Sequence, residues 1–220
     1  MPRVIASPAR QHGPDAPQTS GQILDVAERL AQTRGFNGFS YADIAAELGI
    51  TKASLHYHYP SKSDLGRALI DRYSQAFAAA LARIEESGAP PAQLERYVAI
   101  YADVLKAGRI CLCGMLAAEY TTLPEGMQSA IRGFFDLNER WLSRILAAGR
   151  RDGTLVFEGS EDEAARAITS ALEGAMLLAR PYGGAARFMS AAERVLREFA
   201  ADGKPRATKK TTSKKKAARR

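Results

Sequence analysis

Two of the chain's three histidines, His56 and His58, lie in the stretch ITKASLHYHYPSKSDL of residues 50–65, among Thr51, Lys52, Ser54, Tyr57 and Lys62. Imidazoles can ligate a metal, shuttle protons or donate hydrogen bonds to a partner. Joint ligation fails on geometry, because residues i and i+2 of a helix point about 200° apart. Helical metal pairs are spaced i, i+3 or i, i+4. Catalysis fares no better. The chain contains no G-x-S-x-G elbow, no phosphate-cradling G-x-x-x-x-G-K and no dinucleotide fingerprint, and residues 90–201 hold no histidine. No metal, cofactor or enzymatic activity is therefore expected. What remains is contact with another molecule. Thr51, Lys52 and Ser54, followed by His56, Tyr57 and His58, can all hydrogen-bond phosphate oxygens or base edges.

Such residues need a scaffold, and the chain reads as all-α. Glycine and proline separate long apolar-periodic segments, and no run alternates with a strand's period of two. A first helix is expected after Thr19-Ser20, burying Ile23, Val26, Ala27, Leu30 and Ala31 as one stripe. Phe36 and Phe39 follow as plugs of a small three-helix unit. Ser40 is a good N-cap for a second helix, with Asp43 three residues on as a capping box. Gly49 supplies a left-handed residue to close that helix, and Thr51 caps the next at once. Two helices joined so tightly have the form of a DNA-binding helix-turn-helix, a plain αα-hairpin being the alternative. The third helix spans about 52–59 with Leu55 in the core. Ser61 and Asp64 open a long fourth, carrying Leu65, Leu69, Tyr73 and Phe77 on one side. Further helices are expected at roughly 92–107, 110–122, 125–151, 161–180 and 186–201.

Composition agrees with a globular body, at 46% apolar and 25% charged residues. Charge is unevenly placed. Nine of the 31 basic residues lie beyond Gly203 with no acid among them, so 22 remain against all 24 acidic ones and the rest of the chain is near neutral despite a formal net charge of +7. Residues 202–220 read as a lysine-rich tail that attracts polyanions, or merely solubilises. Residues 1–19 read as an unfolded arm, neither signal peptide nor anchor, and no window is apolar enough to span a membrane. Cys111 and Cys113 make no disulfide framework. A cytoplasmic location follows.

The segment GFNGFSYADIAAELGITKASLHYHYPSKSDL resembles the N-terminal domain of the TetR family of bacterial transcriptional repressors. The Phe-Ser opening, the Asp-Ile-Ala-x-x-Leu-Gly-Ile run, the short aromatic third helix and Pro-Ser-Lys-x-x-Leu carry the resemblance. It implies a helix-turn-helix head at 20–66 and a ligand-binding, dimerising body at 67–201. It also implies DNA contacts from Ser40, Tyr41, Lys52, Ala53, Ser54, His56 and His58, and a phosphate contact from Lys62. His56 stands where the family commonly has tyrosine, and Tyr59 where phenylalanine is common. In the body, CLCGMLAAEYTTLPEGMQSAI and LEGAMLLAR look like one branch of the family, some of whose members sense oxidants or electrophiles through a cysteine. Burial as a small hydrophobe is the expected role of these cysteines, with Cys111 as a reactive thiol, not a Cys111–Cys113 bridge, the alternative. An inducer pocket is expected from Tyr97, Tyr101, Cys111, Met115, Tyr120, Phe134, Trp141 and Met176, all of which could equally be core. Ile168, Leu172, Ala175, Met176, Phe188, Val195 and Leu196 are expected to pair with a second copy in a four-helix bundle, or to pack within the chain. The resulting expectation is a homodimeric repressor on a double-stranded, pseudo-palindromic operator on the nucleoid, released by a small-molecule inducer. An architectural DNA-binding protein or an enzyme in the helical body are the alternatives.

Overall fold

The computed structural model describes residues 16–86 and 88–201. The lysine-rich tail and most of the N-terminal arm lie outside them. Nine α-helices occur among the described residues: α1 (Ala16–Arg34), α2 (Tyr41–Leu48), α3 (Lys52–His58), α4 (Lys62–Glu85), α5 (Pro90–Lys106), α6 (Leu112–Ala118), α7 (Glu125–Asp152), α8 (Glu161–Ala179) and α9 (Ala185–Arg197). Short 3₁₀ turns follow α6 at Tyr120–Thr122 and α8 at Arg180–Tyr182. No described helix is long and apolar enough to cross a membrane.

Most helix limits fall within two residues of the sequence expectation, and three departures have local causes. α1 begins at Ala16 rather than after Ser20. Pro17 then lies in the first turn, where a missing N–H costs nothing. α6, capped by Cys111 with its sulfur accepting from the Gly114 N–H at 3.4 Å, stops at Ala118 instead of running to 122, where the chain tightens into the 3₁₀ turn Tyr120–Thr122. α9 stops at Arg197 instead of running to 201. The chain beyond it turns to pair with the α7–α8 connection, through a Leu155–Ala200 bridge and a 2.9 Å bond from Val156 N–H to the Phe199 carbonyl.

α4 joins the first three helices to the rest. Its early residues Leu65, Leu69 and Ile70 are buried beside α1, and its later residues Phe77, Leu81 and Ile84 are buried against α5 and α7. The expected division at 66/67 therefore falls inside one continuous helix. At Gly66 the α4 backbone approaches the neighbouring core so closely that a Cβ would stand 2.6 Å from Met127 Sδ and 2.7 Å from the Phe36 ring. α7 and α8 are the other axis of the fold. α7 buries Met127, Ile131, Phe134, Trp141, Leu142, Ile145 and Leu146 along one stripe.

The centre is aromatic. Phe77 meets Phe134 edge-on at 5.1 Å, and Tyr97 stacks on Trp141 at 5.4 Å. A polar chain runs through it. The Tyr97 hydroxyl donates to Asn138 Oδ1 at 3.0 Å, the Asn138 amide donates to the Phe134 carbonyl at 2.8 Å, and the Tyr101 hydroxyl sits 3.0 Å from that of Tyr97. Burial raises the pKa of Tyr97 and Tyr101 well above normal, so both stay neutral. Tyr97→Phe strips the donor from Asn138 Oδ1 and leaves that buried oxygen open. Urea denaturation of the variant is expected to show a loss of about 1–3 kcal/mol with an unchanged m-value.

Candidate functional site

α2 and α3 are short, and side-chain caps hold both. The Ser40 hydroxyl accepts from Ala42 N–H at 3.2 Å, while Asp43 accepts from the Ser40 backbone at 2.8 Å, completing a capping box. This bonding holds the Asp43 carboxyl below its usual range. Gly49 ends α2 at φ 66° with its N–H on the Ala45 carbonyl, and Thr51 opens α3 by accepting from Ser54 N–H at 3.1 Å. Leu55 is fully buried. Tyr59 is buried with its hydroxyl 2.8 Å from that of Ser20 on α1. Ile44 and Ala45 on α2 are buried.

With Leu55 pinned inward, α3 turns Lys52, Ala53, His56 and Tyr57 outward, with Thr51 exposed just before them. Ser54 and His58 are half-buried at the edge of that face. Tyr57 is 79% exposed, a large aromatic held against water on a rigid helix. The outward row is polar, narrow and preformed, the shape a major groove admits. His56 Nδ1 lies 3.0 Å from the Pro60 carbonyl, which can only accept. A neutral His56 therefore carries its proton on Nδ1 and offers Nε2 as an acceptor. Only the imidazolium donates from Nε2, so a hydrogen bond to phosphate requires the protonated ring.

Two expected contacts turn inward. Tyr41 is buried, donates its hydroxyl to the Tyr59 carbonyl at 2.8 Å and lies against the His56 ring at 4.8 Å. Burial pushes its pKa up to about 12. It backs His56 rather than facing outward. Lys62 departs further. Its ammonium donates to the carbonyls of Phe36 and Phe39 and sits over both rings, 4.6 Å and 4.4 Å from their centroids. Desolvation lowers its pKa, against the opposing charges of Glu119 and Asp43. The α1–α2 turn leaves those two carbonyls unpaired, and the lysine closes them instead of reaching outward.

The same turn is held from the other side. Glu119, following α6, accepts from the backbone N–H of Phe36 at 2.6 Å and of Asn37 at 3.2 Å. The Asn37 amide donates to Thr122 Oγ1 at 2.8 Å, and Arg180 donates to the Thr33 carbonyl. No local sequence signal marks Glu119, because its partners are some 83 positions away.

Along one face of α6, at Cys111, Gly114 and Ala117, lies a cavity of about 440 Å³ between α6, α7 and α8. Of the expected pocket residues it takes only Cys111 and Met176, together with Phe135, Glu139 and Glu173. Tyr97, Tyr101 and Phe134 belong to the aromatic core instead. Trp141 borders a separate recess beside Arg144. Met115 packs toward Arg180, and Tyr120 pairs with Arg132. A larger groove of about 770 Å³, between α5 and α9, is lined by Leu94, Val98, Met189 and Leu196. Cys111 and Cys113 are both free and buried, and burial pushes both thiols well up, reinforced by the Glu173 charge. A low-pKa, electrophile-reactive Cys111 does not fit that environment.

The expected dimer residues also shift. Ile168, Leu172, Met176 and Phe188 are buried within the chain, while Ala175, Val195 and Leu196 are half-buried. Helical period explains it: the 168–172–176 stripe faces the chain's own core, so Ala167 and Leu178 of α8 face outward, while Ser170 and Gly174 line the cavity. Leu177 and Leu178 are 52% and 62% exposed.

Residues 23–69 match the model for bacterial regulatory proteins of the tetR family. Over 84% of this chain and all of the other, the fold matches a TetR-family transcriptional regulator from Agrobacterium tumefaciens, with a TM-score of 0.82 and 34% identity. The transcriptional regulator AcuR of Cereibacter sphaeroides is 26% identical across 81% of this chain and 85% of its own length. The transcriptional repressor DhaR of a Mycobacterium species is 22% identical across 78% and 82%. Head, body and connectivity thus agree with one group of proteins, and the chain belongs to the TetR family of bacterial transcriptional regulators.

Proposed function

We propose that this regulator is a homodimeric, ligand-responsive repressor in which residues 20–66 read a pseudo-palindromic operator and residues 67–201 sense an inducer and dimerise. The observation that carries the reading is the outward polar row of α3, anchored by Leu55 and preset by the Thr51 and Ser40 caps. Preset donors lose little entropy on docking, which favours base readout over loose charge attraction. Lys52 and Ser54 are the base-reading candidates, with Thr51, Ala53, Tyr57 and His58 around them. Ser40 and His56 are the candidates for phosphate. DhaR's designation as a repressor supports the direction of control.

Sensing has a physical route. α6 walls the cavity along Cys111, Gly114 and Ala117 and leads directly to Glu119 on the head's turn. A ligand that displaces α6 would pull that turn, and both heads of a dimer would leave register. For the dimer itself, the outward face of α8 offers the small Ala167 and the exposed apolar Leu178 for close approach.

Four outcomes test this. Lys52→Ala and Ser54→Ala are expected to lower operator affinity by about 1–3 kcal/mol and relax preference among bases in a selection assay. Lys62→Ala is expected to lower the melting temperature while leaving the salt slope of DNA binding unchanged, since its ammonium serves the α1–α2 turn. A reduced slope would place it on phosphate instead. His56→Ala is expected to weaken operator binding by about 1–2 kcal/mol in anisotropy titrations, alike for all DNA sequences, because its ring is offered to phosphate and not to bases. Leu178→Glu is expected to convert the dimer to monomer in sedimentation, and to weaken operator binding with it.

A further inference from the structure

The cavity beside α6 contains an acid that no cationic side chain among the described residues is placed to neutralise. Glu173 Oε1, on α8, is enclosed and has no hydrogen-bond partner among the described residues. The other carboxylate oxygen lies so close to α6 that a Cβ at Gly114 would stand 2.3 Å from it. Among the described residues, no lysine, arginine or histidine lines the cavity. The titratable groups around the acid are Tyr73 on α4, Tyr97 and Tyr101 on α5, and Cys111 and Cys113 at α6. Burial raises the pKa of every one, so all are uncharged. The Cys111 thiol is the neighbouring donor. From α7 the lining adds a second acid, Glu139, whose own pKa partial burial raises against the nearby Arg166 charge. Much of the remaining wall is apolar, with Ile110, Phe135, Met176 and Leu177.

A buried carboxylate without a cation is costly, and the protein lessens the cost by keeping it protonated. We infer that the cavity selects a monocationic amphiphile, an amine whose ammonium seats on Glu173 and whose apolar body lies along Phe135 and Met176. The inference rests on this cavity being the effector site. Its volume of about 440 Å³ lies within the range that holds small organic ligands. The ammonium supplies the counter-charge that the fold omits, and neutral or anionic bodies of the same shape cannot. Burial lifts the Glu173 pKa to about 7. Below that value an arriving cation must expel the carboxyl proton, so affinity rises as pH increases through it, and binding there releases a proton.

The test uses the full-length dimer on its operator and three near-isosteric probes: 4-phenylbutylamine, 4-phenylbutanol and 4-phenylbutyrate. Calorimetry near pH 8 is expected to give the amine at least a roughly tenfold advantage over both others, equal to about 1.4 kcal/mol. The amine is also expected to release operator DNA in anisotropy. Glu173→Gln should erase the amine's advantage while leaving the alcohol's affinity in place. Should that variant fail to fold, Gly114→Ala, which crowds the carboxylate, must reduce the same preference. If the alcohol or the butyrate equals the amine, or if the preference survives Glu173→Gln, the cation inference is overturned and the effector cavity stands. If none of the three binds and the operator complex ignores them all, the effector reading of this cavity falls as well.

Discussion

The turn between α1 and α2 must satisfy backbone groups of both signs, and the rest of the molecule is arranged around doing so. Its carbonyls at Phe36 and Phe39 take the Lys62 ammonium, and its N–H groups at Phe36 and Asn37 take the Glu119 carboxylate. One partner opens the helix that runs into the body, and the other follows the helix that walls the cavity. Left open, those groups would each cost about 1–3 kcal/mol where they are buried. Satisfying them welds the DNA-facing unit to both supports through charge-assisted bonds, which hold direction better than apolar packing does.

Local chemistry was legible in the sequence wherever cause and effect sit within four residues. The Ser40–Asp43 and Ser61–Asp64 boxes, the Gly49 closure, the Thr51 cap and the buried Leu55 are all of this kind. So are the helical periods that made the chain all-α. Orientation across the fold was not. Whether Lys62 points out or in depends on carbonyls more than twenty residues earlier, and whether Tyr41 is available depends on Tyr59. Periodicity identified an apolar stripe on α8, yet could not say whether its partner is the chain itself or another copy.

The cavity illustrates the same limit for electrostatics. Aromatic and methionine side chains are the usual guides to a small-molecule pocket, and here most of them close the core around Tyr97 and Asn138. The residue that gives the cavity its chemical character is Glu173, which in sequence is an ordinary acid on an amphipathic helix. Its character comes from what is missing around it. Cys111, conspicuous in sequence, contributes a cap to α6 and a neutral wall.

α6 is a helix of seven residues, which at 1.5 Å per residue is a strut of roughly 10 Å. A segment that short has too few internal hydrogen bonds to be stable alone, so its placement is imposed by what grips its two ends. Such a strut cannot absorb a displacement by bending, as a long helix can. Movement entering at one end has to emerge at the other nearly undiminished. The distance between chemical detection and mechanical output is thereby kept to two helical turns.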